Sequence, residues 1–565
     1  MQDINILKTN EANCKDCYKC LRYCPIKAIR VCDGHAQVDK DRCVLDGKCL
    51  TICPQKAKSV RNDVEKAKEV IKYGDFIVAS IAPSFFAYYD KSSRGKIITA
   101  LKYLGFDQIE QTSRAAYSVA LAHFEHMKNT DMPVIASSCP SIVTLVEKYY
   151  PELISNLAPV LSPMCAHYQM LFEQYGKNFK MIFIGPCVAK KEEIEGTNIA
   201  ACLTFSELDE LIKQEELDLD TLPESEFEKE YSGNPSLFPL IGGLIKTAGM
   251  DDSNIQSDLI SISGIEDARK LFDSIINKSL NIKFIEALAC EGGCIMGPAK
   301  PDYLNNKSFY ELKDNIIQAS NENTNSQPYE CISIKKISRK YTNKSFKIVE
   351  PSEEEIRIVL ASIGKFVPED ELNCGACGYN SCRDKAIAVI QGLAEKEMCI
   401  PFMKAQAEKL SSVIIEATPN SVVIMDDNLV VIDANPAFLK FFNLNKDDIT
   451  GYPLSGFMDD APFKELLAGV NQLIETRVIY NNREVKRIIF SVPDKKLVTG
   501  IFVDISDAET HREALLKVKQ ETLERAQKVI NKQMRVAQEI AGLLGETTAE
   551  TKVLLGQLVK ILQQE

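Results

Sequence analysis

Apolar and polar positions alternate in different ways along the 565-residue chain, and these differences predict its regions. Within residues 63–345, three apolar runs read DFIVASIAP, MPVIASSCP and KMIFIGPC. Each run ends in Pro or Cys, where a loop is expected to begin after a buried strand. This segment therefore predicts an α/β body built on short buried strands.

A second pattern predicts an antiparallel sheet within residues 410–506. Apolar and polar residues alternate in five runs, beginning with NSVVIMD and ending with KLVTGIFVDI. Such alternation is typical of strands that bury one face. The region from 417 to 505 contains no cysteine, so we expect its core to be apolar and free of thiolate ligands.

The last segment, residues 507–565, carries a helical heptad pattern. Its seam repeats every seven residues, with one threonine interruption: Leu516, Leu523, Ile530, Ala537, Leu544, Thr551 and Leu558. A companion row lies four residues from these positions: Met534, Ala541, Thr548, Leu555 and Leu562. The two rows predict a dimerising coiled coil or helix bundle. The alternative is a monomeric helix that folds back on the body. Within this segment, the threonine-rich residues 545–552 are expected to form either a bend or a docking surface.

Composition and charge exclude several classes of protein. Hydrophobic residues make up 45% of the chain and charged residues 26%, as in an ordinary globular protein. The net charge of −12 argues against a general nucleic-acid surface. No run of about 20 apolar residues predicts a membrane span, and the N-terminal residues lack a signal-peptide pattern. We therefore expect a cytoplasmic protein that binds neither nucleic acid nor membrane.

The 19 cysteines are the unusual feature of the composition. They are about 3% of the chain, well below the roughly 8–10% of a disulfide scaffold. A chain of this size does not need disulfides to fold, and the cysteines lie in clusters. The clusters therefore favour metal ligation by thiolates.

The first cluster has the spacing of bacterial iron–sulfur ligands. One run is Cys14-x2-Cys17-x2-Cys20-x3-Cys24-Pro25, and a second is Cys43-x5-Cys49-x3-Cys53-Pro54. Structural zinc is the alternative reading of such spacing. Residues 1–62 resemble a two-cluster ferredoxin domain. That resemblance implies one 4Fe–4S cluster on Cys14, Cys17, Cys20 and Cys53, and a second on Cys24, Cys43 and Cys49.

Asp46 stands where the ferredoxin family has the cysteine that completes the second cluster. A carboxylate is a harder and weaker ligand for this iron than a thiolate. We therefore hypothesise either an Asp46-ligated 4Fe–4S cluster or a labile site that becomes 3Fe–4S. The alternative is that Asp46 is a surface residue and water is the ligand.

Four further cysteines lie in three short motifs of the α/β body. The motifs are ASSCPS at 136–141, GPCVAKKEE at 185–193 and EALACEGGCIMGP at 286–298. The first two follow predicted strands, so their thiolates are expected to converge at loop ends on one sheet edge. Together the motifs supply four thiolates, enough for one cubane: Cys139, Cys187, Cys290 and Cys294. Gly292 and Gly293 allow a close backbone approach, and Lys190 could donate a hydrogen bond to an anionic cofactor ligand.

These motifs resemble the signature segments of the iron-only (FeFe) hydrogenases, in the same order and after a ferredoxin domain. The resemblance covers most of residues 1–345. It implies an H-cluster, a 4Fe–4S cubane joined through one cysteine to a diiron unit with CO, cyanide and a bridging dithiolate amine. By motif position, the resemblance implies that the four cysteines hold the cubane and that Cys294 is the bridge to the diiron unit. It also implies that Lys190 binds a cyanide and that Glu193 completes the PCxxKxxE pattern. Iron–sulfur assembly proteins that lack the diiron unit are the alternative.

Several departures from the family predict slow catalysis. The proton-relaying cysteine of the family is replaced by Ser138, and a hydroxyl is a much poorer acid than a thiol. The family's methionines near the diiron unit correspond to Gly185 and Leu288. The helix that usually supplies relay glutamates reads SRAAYSVALAHF at 113–124, without a carboxylate. Cys165 is a candidate for another relay thiol, the alternative being a buried spectator.

A second compact cluster follows in residues 351–405, with the spacing Cys374-x2-Cys377-x4-Cys382-x16-Cys399. It resembles the small 4Fe–4S domain of corrinoid proteins and some hydrogenases. Four cysteines at one site are also compatible with zinc. We expect a further relay cluster that leads electrons toward the C-terminus.

Residues 410–506 resemble a PAS domain. The likeness rests on the DAN-P element at 433–436 and on the aromatic FLKFF helix. The segment has no cysteine for a flavin adduct and no histidine for haem. We therefore expect a transmitter or dimerisation unit rather than a light or haem sensor.

The predicted fold is a multidomain α/β protein. Its parts are a ferredoxin-like iron–sulfur module, an α/β H-cluster domain at 63–345, a small 4Fe–4S domain, an α+β PAS domain and a C-terminal coiled-coil helix. The resemblances imply a sensory hydrogenase that slowly and reversibly oxidises H2 and signals through a homodimer to a kinase or phosphatase, after loading by maturation proteins. The alternatives are a metabolic ferredoxin-linked hydrogenase and a non-catalytic iron–sulfur redox sensor.

Overall fold

The fold is taken from a computed structural model of the chain. It describes residues 5–250, 258–321, 329–348, 350–469, 473–492, 496–541, 553–554 and 556–557. The chain divides into two compact units, Met1–Met403 and Lys404–Glu565. Both the ferredoxin-like module and the small cysteine domain therefore belong to the same unit as the α/β body.

The N-terminal module is a pseudo-repeat of short strands and single-turn helices. Its elements are β1 (Leu7–Thr9), α1 (Lys19–Tyr23), β2 (Ile29–Cys32), β3 (His35–Val38), α2 (Lys48–Ile52) and β4 (Lys58–Val60). Strand β1 pairs antiparallel with β4, and β2 pairs antiparallel with β3. Each cysteine run passes through one short helix, which carries Cys20 in α1 and Cys49 in α2. The repeat places both runs against one shared apolar core.

The α/β body contains two parallel sheets. The first half comprises α3 (Val64–Tyr73), β5 (Ile77–Ile81), α4 (Phe85–Tyr88), α5 (Lys91–Leu104), β6 (Gln108–Gln111), α6 (Ser113–Lys128), β7 (Val134–Ile135), α7 (Pro140–Tyr149) and α8 (Pro163–Tyr175). The second half comprises β8 (Lys180–Ile184), α9 (Lys190–Glu193), β9 (Ala201–Leu203), α10 (Phe205–Gln214), α11 (Gly243–Thr247), β10 (Leu259–Ser263), α12 (Ile265–Ile276), β11 (Phe284–Leu288) and α13 (Phe309–Asn321). The predicted α/β body is confirmed.

The sheet topology explains where the cysteine motifs lie. One sheet has the order β6-β5-β8-β9 and the other the order β10-β11-β7, all with parallel neighbours. Parallel strands end at one edge of a sheet, so loops after neighbouring strands meet there. The first motif directly follows β7 and the second directly follows β8, whereas the third begins within β11. Because β7 and β8 belong to different sheets, the prediction that the first two motifs share one sheet edge is wrong, and it is β11 that lies beside β7. The predicted strand in MPVIASSCP is only two residues long, because the chain turns into the motif immediately.

The small cysteine domain is built on two helices, α14 (Glu353–Ser362) and α15 (Cys382–Ile390). Each begins with a capping box, formed by Ser352 with Glu355 and by Ser381 with Asp384. Its last cysteine, Cys399, directly precedes α16 (Ile400–Ala417). The cysteines therefore lie at helix starts and in the connecting loops.

The second unit contains the predicted antiparallel sheet. Its elements are β12 (Ser421–Asp426), β13 (Val431–Ala434), α17 (Pro436–Phe442), α18 (Lys446–Ile449), α19 (Ala461–Leu467), β14 (Leu473–Tyr480), β15 (Arg483–Val492) and β16 (Leu497–Asp504). The order is β13-β12-β16-β15-β14, antiparallel throughout. Asn435 caps α17 through its side chain, which explains the DAN-P element. Phe438, Phe463 and Phe502 fill the core.

A single helix, α20 (Ser506–Ala541), covers much of the predicted heptad segment. Leu516 is 54% exposed within one chain, so this seam position is not buried against its own unit. The seam and companion positions Leu544, Thr548, Thr551, Leu555, Leu558 and Leu562 lie outside the described residues, as does 545–552. Among the described residues, no helix is long and apolar enough to cross a membrane.

Candidate metal centre

Four cysteines of the α/β body face one small cavity. Cys139, Cys187, Cys290 and Cys294 line it together with Asp46 of the N-terminal module. Cys139 caps the start of α7 after β7, whereas Cys187 and Cys290 follow β8 and β11. The structure thus brings together the four thiols that the motifs single out.

The thiols are in an environment that disfavours their anionic form. Burial raises the pKa of Cys187 to about 11 and also raises that of Cys139. Burial raises the pKa of Cys290 well above its usual value, and the neighbouring thiols of Cys187 and Cys294 raise it further. A bound metal supplies the positive charge that turns such thiols into thiolates. The four sulfur donors converge on one cavity, and no carboxylate from their own motifs lines it. Such a donor set fits an iron–sulfur cubane.

The glycines of the third motif hold Cys294 close to neighbouring backbone. The Cys294 N–H donates to the Pro239 carbonyl at 2.8 Å. A Cβ on Gly293, whose φ is +82°, would stand 2.6 Å from that same oxygen. A Cβ on Gly297 would stand 2.7 Å from the Pro186 carbonyl. Any larger residue would therefore displace the loop that carries Cys294.

Lys190 is held by a buried ion pair beside the cysteines. Its Nζ donates to Glu193 Oε2 at 2.8 Å and to Ser162 Oγ at 3.2 Å. Arg339 donates to the other Glu193 oxygen at 3.1 Å. Burial lowers the pKa of Lys190, but Glu193 and the Cys187 thiol outweigh it and the pKa is raised. Lys190 therefore stays charged, and an ammonium with three N–H groups keeps one for another acceptor.

Ser162 was missed by the sequence reasoning. It caps α8 and also donates its hydroxyl to Glu193 Oε2 at 3.0 Å. Its sequence signal is the Ser-Pro step that starts a helix, which indicates a cap but not the second role. Cys165, one turn further on, is buried close to the same pair. Burial and then Glu193 raise the pKa of Cys165 to about 12, so the thiol is neutral at pH 7.

Ser138 is buried at 7% exposure, and the preceding residue, Ser137, contacts a histidine that the sequence reasoning also missed. His123 Nδ1–H donates to the Val119 carbonyl at 2.7 Å, and its Nε2 accepts from the Ser137 N–H at 3.1 Å. Burial lowers the pKa of His123 to about 4. Residues 113–124, which lack a carboxylate, thus present a neutral, fully hydrogen-bonded imidazole to the first motif.

Packing explains the glycine at the start of the second motif. A Cβ on Gly185 would stand 2.7 Å from the Phe183 ring and 3.1 Å from Ala82 Cβ. The Phe183 ring therefore occupies the space into which a side chain at 185 would extend, and Leu288 is buried at the end of β11. Ser84, after β5, has a buried hydroxyl without a hydrogen-bond partner among the described residues.

The N-terminal module brings the predicted second ligand set together. The pKa values of Cys24 and Cys43 are raised by burial, to about 11 and about 12, and the carboxylate of Asp46 raises both further. The pKa of Cys49 is also raised, by burial and by the charges of the Cys43 thiol and the Asp46 carboxylate. These electrostatic effects place Asp46 beside the three thiols.

Asp46 also faces the four-cysteine cavity. The next residue, Gly47, has φ +71°, and a Cβ there would collide with the Pro298 ring at 2.3 Å. Lys48 Nζ lies 2.5 Å from Glu291 Oε1, beside Cys290. The Asp46 loop is therefore docked on the third motif, and Asp46 lies between two cysteine sets.

The N-terminal module also brings part of the other predicted set together. Burial raises the pKa of Cys20, with smaller contributions from Cys14 and Cys53, so these three thiols are neighbours. Cys17, its fourth predicted member, is exposed. Asp16 accepts from the Cys14 thiol at 3.5 Å and lies 3.2 Å from His35 Nδ1.

The small domain forms a separate cysteine cavity. Cys374, Cys377, Cys382 and Cys399 line it together with Tyr379 and Lys385. Lys385 is buried and donates to the Lys396 carbonyl at 3.0 Å. Burial lowers its pKa, although the Cys399 and Cys377 thiols oppose that shift. Four sulfurs and a nearby cation form a donor set suited to an anionic cluster.

Family models match three segments of the chain. The iron-only hydrogenase large subunit, C-terminal domain, matches residues 75–298. An Fe–S cluster model matches 370–401, and the PAS fold matches 410–500. These matches confirm the resemblances that the cysteine motifs and the alternating strands indicated.

The curated relatives include hydrogenases. Iron hydrogenase 1 of Clostridium pasteurianum is 26% identical over 318 residues, 47% of this chain and 55% of the relative. The periplasmic [Fe] hydrogenase large subunit of Nitratidesulfovibrio vulgaris is 26% identical over 366 residues, 53% of this chain and 87% of the relative. The chain thus spans about half the length of the first of these relatives.

A solved [FeFe]-hydrogenase of Chlamydomonas reinhardtii is also similar, at 16% identity. The similarity covers 51% of this chain and 100% of that structure, with a TM-score of 0.41.

Proposed function

We propose that this chain, whose residues 75–298 match the iron-only hydrogenase large-subunit domain, is a slow, H2-sensing hydrogenase. One observation carries the proposal: four thiols line one cavity, and the fixed Lys190 ammonium acts electrostatically on three of them. Ser138 stands directly before the first of these cysteines, where an acidic thiol would be needed for speed. The reaction is H2 = 2 H+ + 2 e−. The site retains its binding groups and lacks an efficient proton relay.

The residues around the cavity have distinct roles in this proposal. Cys139, Cys187, Cys290 and Cys294 would hold the cubane, and Cys294 would also be the cysteine that joins it to the diiron unit. The H-cluster, when bound, supplies the cleavage and formation of H2. Lys190 directs its remaining N–H to an anionic cofactor ligand, and Glu193 keeps that ammonium in place.

Proton transfer is the slow part of the proposed reaction. General acid–base catalysis is most efficient when the pKa of the group lies near the working pH. His123 and Cys165 do not meet this condition, since the pKa of His123 is about 4 and that of Cys165 about 12. The Ser138 hydroxyl is an even weaker acid than a thiol. Protons therefore pass slowly, and H2 binding changes the redox state of the protein more than it sustains turnover.

Electrons from the site then report H2 to the rest of the chain. We propose two clusters in residues 1–62, one of them ligated by Asp46 or present as 3Fe–4S, and one cluster in 351–405. The PAS domain and the coiled-coil helix pass the change to a second copy of the chain and to a downstream kinase or phosphatase. Maturation proteins supply the diiron unit, and the protein works in the cytoplasm.

Infrared spectroscopy of the matured protein under H2 and under argon tests this function. We expect CO and cyanide bands that change between the two gases, together with slow H2 turnover. Absence of these bands after maturation would leave a redox sensor without a diiron unit. Turnover equal to that of fast hydrogenases would instead indicate the metabolic, ferredoxin-linked enzyme.

A further inference from the structure

A buried tyrosine links the small cysteine domain to the N-terminal module. Tyr379 is 4% exposed and lines the cavity formed by the four cysteines of the small domain. The same side chain belongs to the apolar cluster that contains Cys43 and Cys49, with Cys24 packed against that cluster. One ring therefore lies between two cysteine sets that the sequence separates widely.

The two domains are in close contact at this tyrosine. Arg22 Nη2 donates to the Ala376 carbonyl at 3.0 Å, and Lys27 Nζ donates to the Gly378 carbonyl at 3.1 Å. A Cβ on Gly378 would stand 3.1 Å from Leu21 Cγ, so the backbone of the small domain lies against α1. The loop that carries Cys377 is thus fixed on the N-terminal module.

Further hydrogen bonds extend the contact beyond the tyrosine. The Val31 N–H donates to the Leu393 carbonyl at 2.9 Å. The Gly34 N–H donates to Glu395 Oε2 at 3.1 Å. Backbone groups of β2 and the following turn therefore hold the small domain in one orientation within its unit.

The position of Tyr379 favours one of the two N-terminal cysteine sets. The thiols of Cys377 and Cys24 both act on its hydroxyl electrostatically, from opposite domains. Cys24 belongs to the set that includes Asp46, and Asp46 lines the four-cysteine cavity. The order in space is therefore four-cysteine cavity, Asp46 set, Tyr379 and small domain. The hydroxyl of Tyr379 is also buried without a partner among the described residues.

We propose that Tyr379 is the electronic contact between the cluster of the Asp46 set and the cluster of the small domain. In each transfer one electron leaves the reduced Asp46-set cluster and enters the oxidised small-domain cluster, while Tyr379 itself is neither oxidised nor reduced. The set of Cys14, Cys17, Cys20 and Cys53 is then a side branch. This inference rests on the iron–sulfur sites of the proposed function but not on its H2 chemistry.

The first test uses the full chain, reconstituted anaerobically with iron and sulfide and reduced with dithionite. EPR of the wild type is expected to show magnetic interaction between the Asp46-set and small-domain clusters. Tyr379→Ala is expected to remove the exchange part of that interaction, which passes through the ring, while the through-space dipolar part and the iron content stay unchanged. The matched control is Tyr149→Phe, because Tyr149 also lies beside Cys24 and Cys43 but donates to the Arg42 carbonyl and not to the small domain.

A second variant separates the two N-terminal sets. Cys17→Ala removes an exposed ligand of the side branch and should reduce the iron content, yet the interaction with the small-domain cluster should remain. Loss of the interaction in Cys17→Ala, or an unchanged exchange part in Tyr379→Ala, would overturn the proposal. If Tyr379→Ala does not retain its iron, Tyr379→Leu keeps apolar volume at the site and is measured in its place, with the same expected loss.

The second test uses the matured protein and H2 as the reductant. The rate at which H2 reduces the small-domain cluster is expected to fall by about tenfold in Tyr379→Ala, equivalent to about 1.4 kcal/mol of activation free energy. An unchanged rate would contradict the proposed route. Failure of H2 to reduce any cluster would contradict the hydrogenase function alone, since the dithionite experiment does not depend on it.

Discussion

The two sides of the four-cysteine cavity differ in their polar groups and in the hydrogen bonds that these groups make. On the Lys190 side, an ammonium is fixed by Glu193, Ser162 and, through Glu193, Arg339. On the Ser138 side, the neighbouring residue Ser137 contacts a neutral imidazole whose two nitrogens are already occupied. The comparison teaches that groups for holding a cofactor and groups for moving protons can be lost separately. The following experiments each change one residue on these two sides, or near them, and measure the effect of that change.

The largest effect is expected when a thiol shared by both sides is removed. Cys294→Ala should abolish the CO and cyanide bands of the matured protein and all H2 turnover, because no other described side chain of that loop can replace the sulfur. Infrared spectra and iron analysis measure this. Cys331→Ala is the control, because Cys331 is exposed and outside every cysteine set. Bands that survive in Cys294→Ala would contradict the assigned bridge.

On the proton side, Ser138→Cys should raise H2 turnover by about a hundredfold, the lower range for a positioned general acid. A thiol has a pKa near 8.5, so it can exchange protons at neutral pH. Gas chromatography of evolved H2 measures the rate. Ser138→Ala should change the rate little, since the hydroxyl contributes little acid catalysis. Equal rates in the Cys and Ser forms would place the slow step elsewhere.

On the binding side, Lys190→Met should destabilise the fold by about 3 kcal/mol, because it leaves the buried Glu193 carboxylate with fewer partners. Urea unfolding of the chain before maturation measures this. Lys336→Met is the control, since its pair with Glu173 is exposed and such pairs contribute at most about 1 kcal/mol. A loss of similar size in both variants would argue against the buried pair as an anchor.

Asp46 lies between the thiols of the N-terminal module and the four-cysteine cavity. Asp46→Cys should convert the cluster of the N-terminal set to an all-thiolate 4Fe–4S centre. A thiolate binds this iron more firmly than a carboxylate. EPR of the anaerobically isolated proteins should then differ between wild type and variant, and only the wild type should lose iron to a 3Fe–4S form. Identical spectra would remove Asp46 from the ligand set.

The last effect concerns the dependence of stability on pH. His123 has a pKa lowered to about 4 in the fold, against about 6.5 in the unfolded chain. The unfolded state therefore binds more protons between these values, and stability is lost as the pH falls from 6.5 to 4, by about 3 kcal/mol in total. Glu286 has the opposite sign, since burial raises its pKa to about 7 and stability is lost as the pH rises toward 7.

Two variants separate these opposing contributions. His123→Gln should flatten the loss of stability at acid pH, and Glu286→Gln should flatten the loss toward neutral pH. Thermal unfolding between pH 4 and pH 7 measures both. A wild-type profile that His123→Gln leaves unchanged would show that this imidazole is protonated in the folded protein.

The sequence reasoning found the parts of the site that depend on spacing along the chain. The strand ends that carry Cys139 and Cys187 were readable from apolar runs that stop at a motif, whereas the strand before Cys290 was not predicted. The antiparallel sheet of the second unit was readable from strict alternation. Both patterns are local, so a single sequence contains them.

Other features depend on packing between distant segments. Phe183 fills the space at Gly185, His123 meets Ser137, and Ser162 joins the Lys190 pair only after the sheets have assembled. The docking of the Asp46 loop depends on Gly47 fitting against Pro298. No spacing rule reveals such contacts, because each joins elements whose relative position is a property of the whole fold.

The adjacency of Cys399 and α16 has a mechanical consequence. The helix Ile400–Ala417 has 18 residues, so it is about 27 Å long, and it starts at the residue after a proposed ligand without an intervening linker. Its rotation about its own axis is therefore set by the cysteine. Inserting one residue after Cys399 would turn every later side chain of the helix by about 100°, whereas four inserted residues would nearly restore the original angle. Signalling that depends on this angle would therefore vary periodically with the number of inserted residues, with the period of the helix.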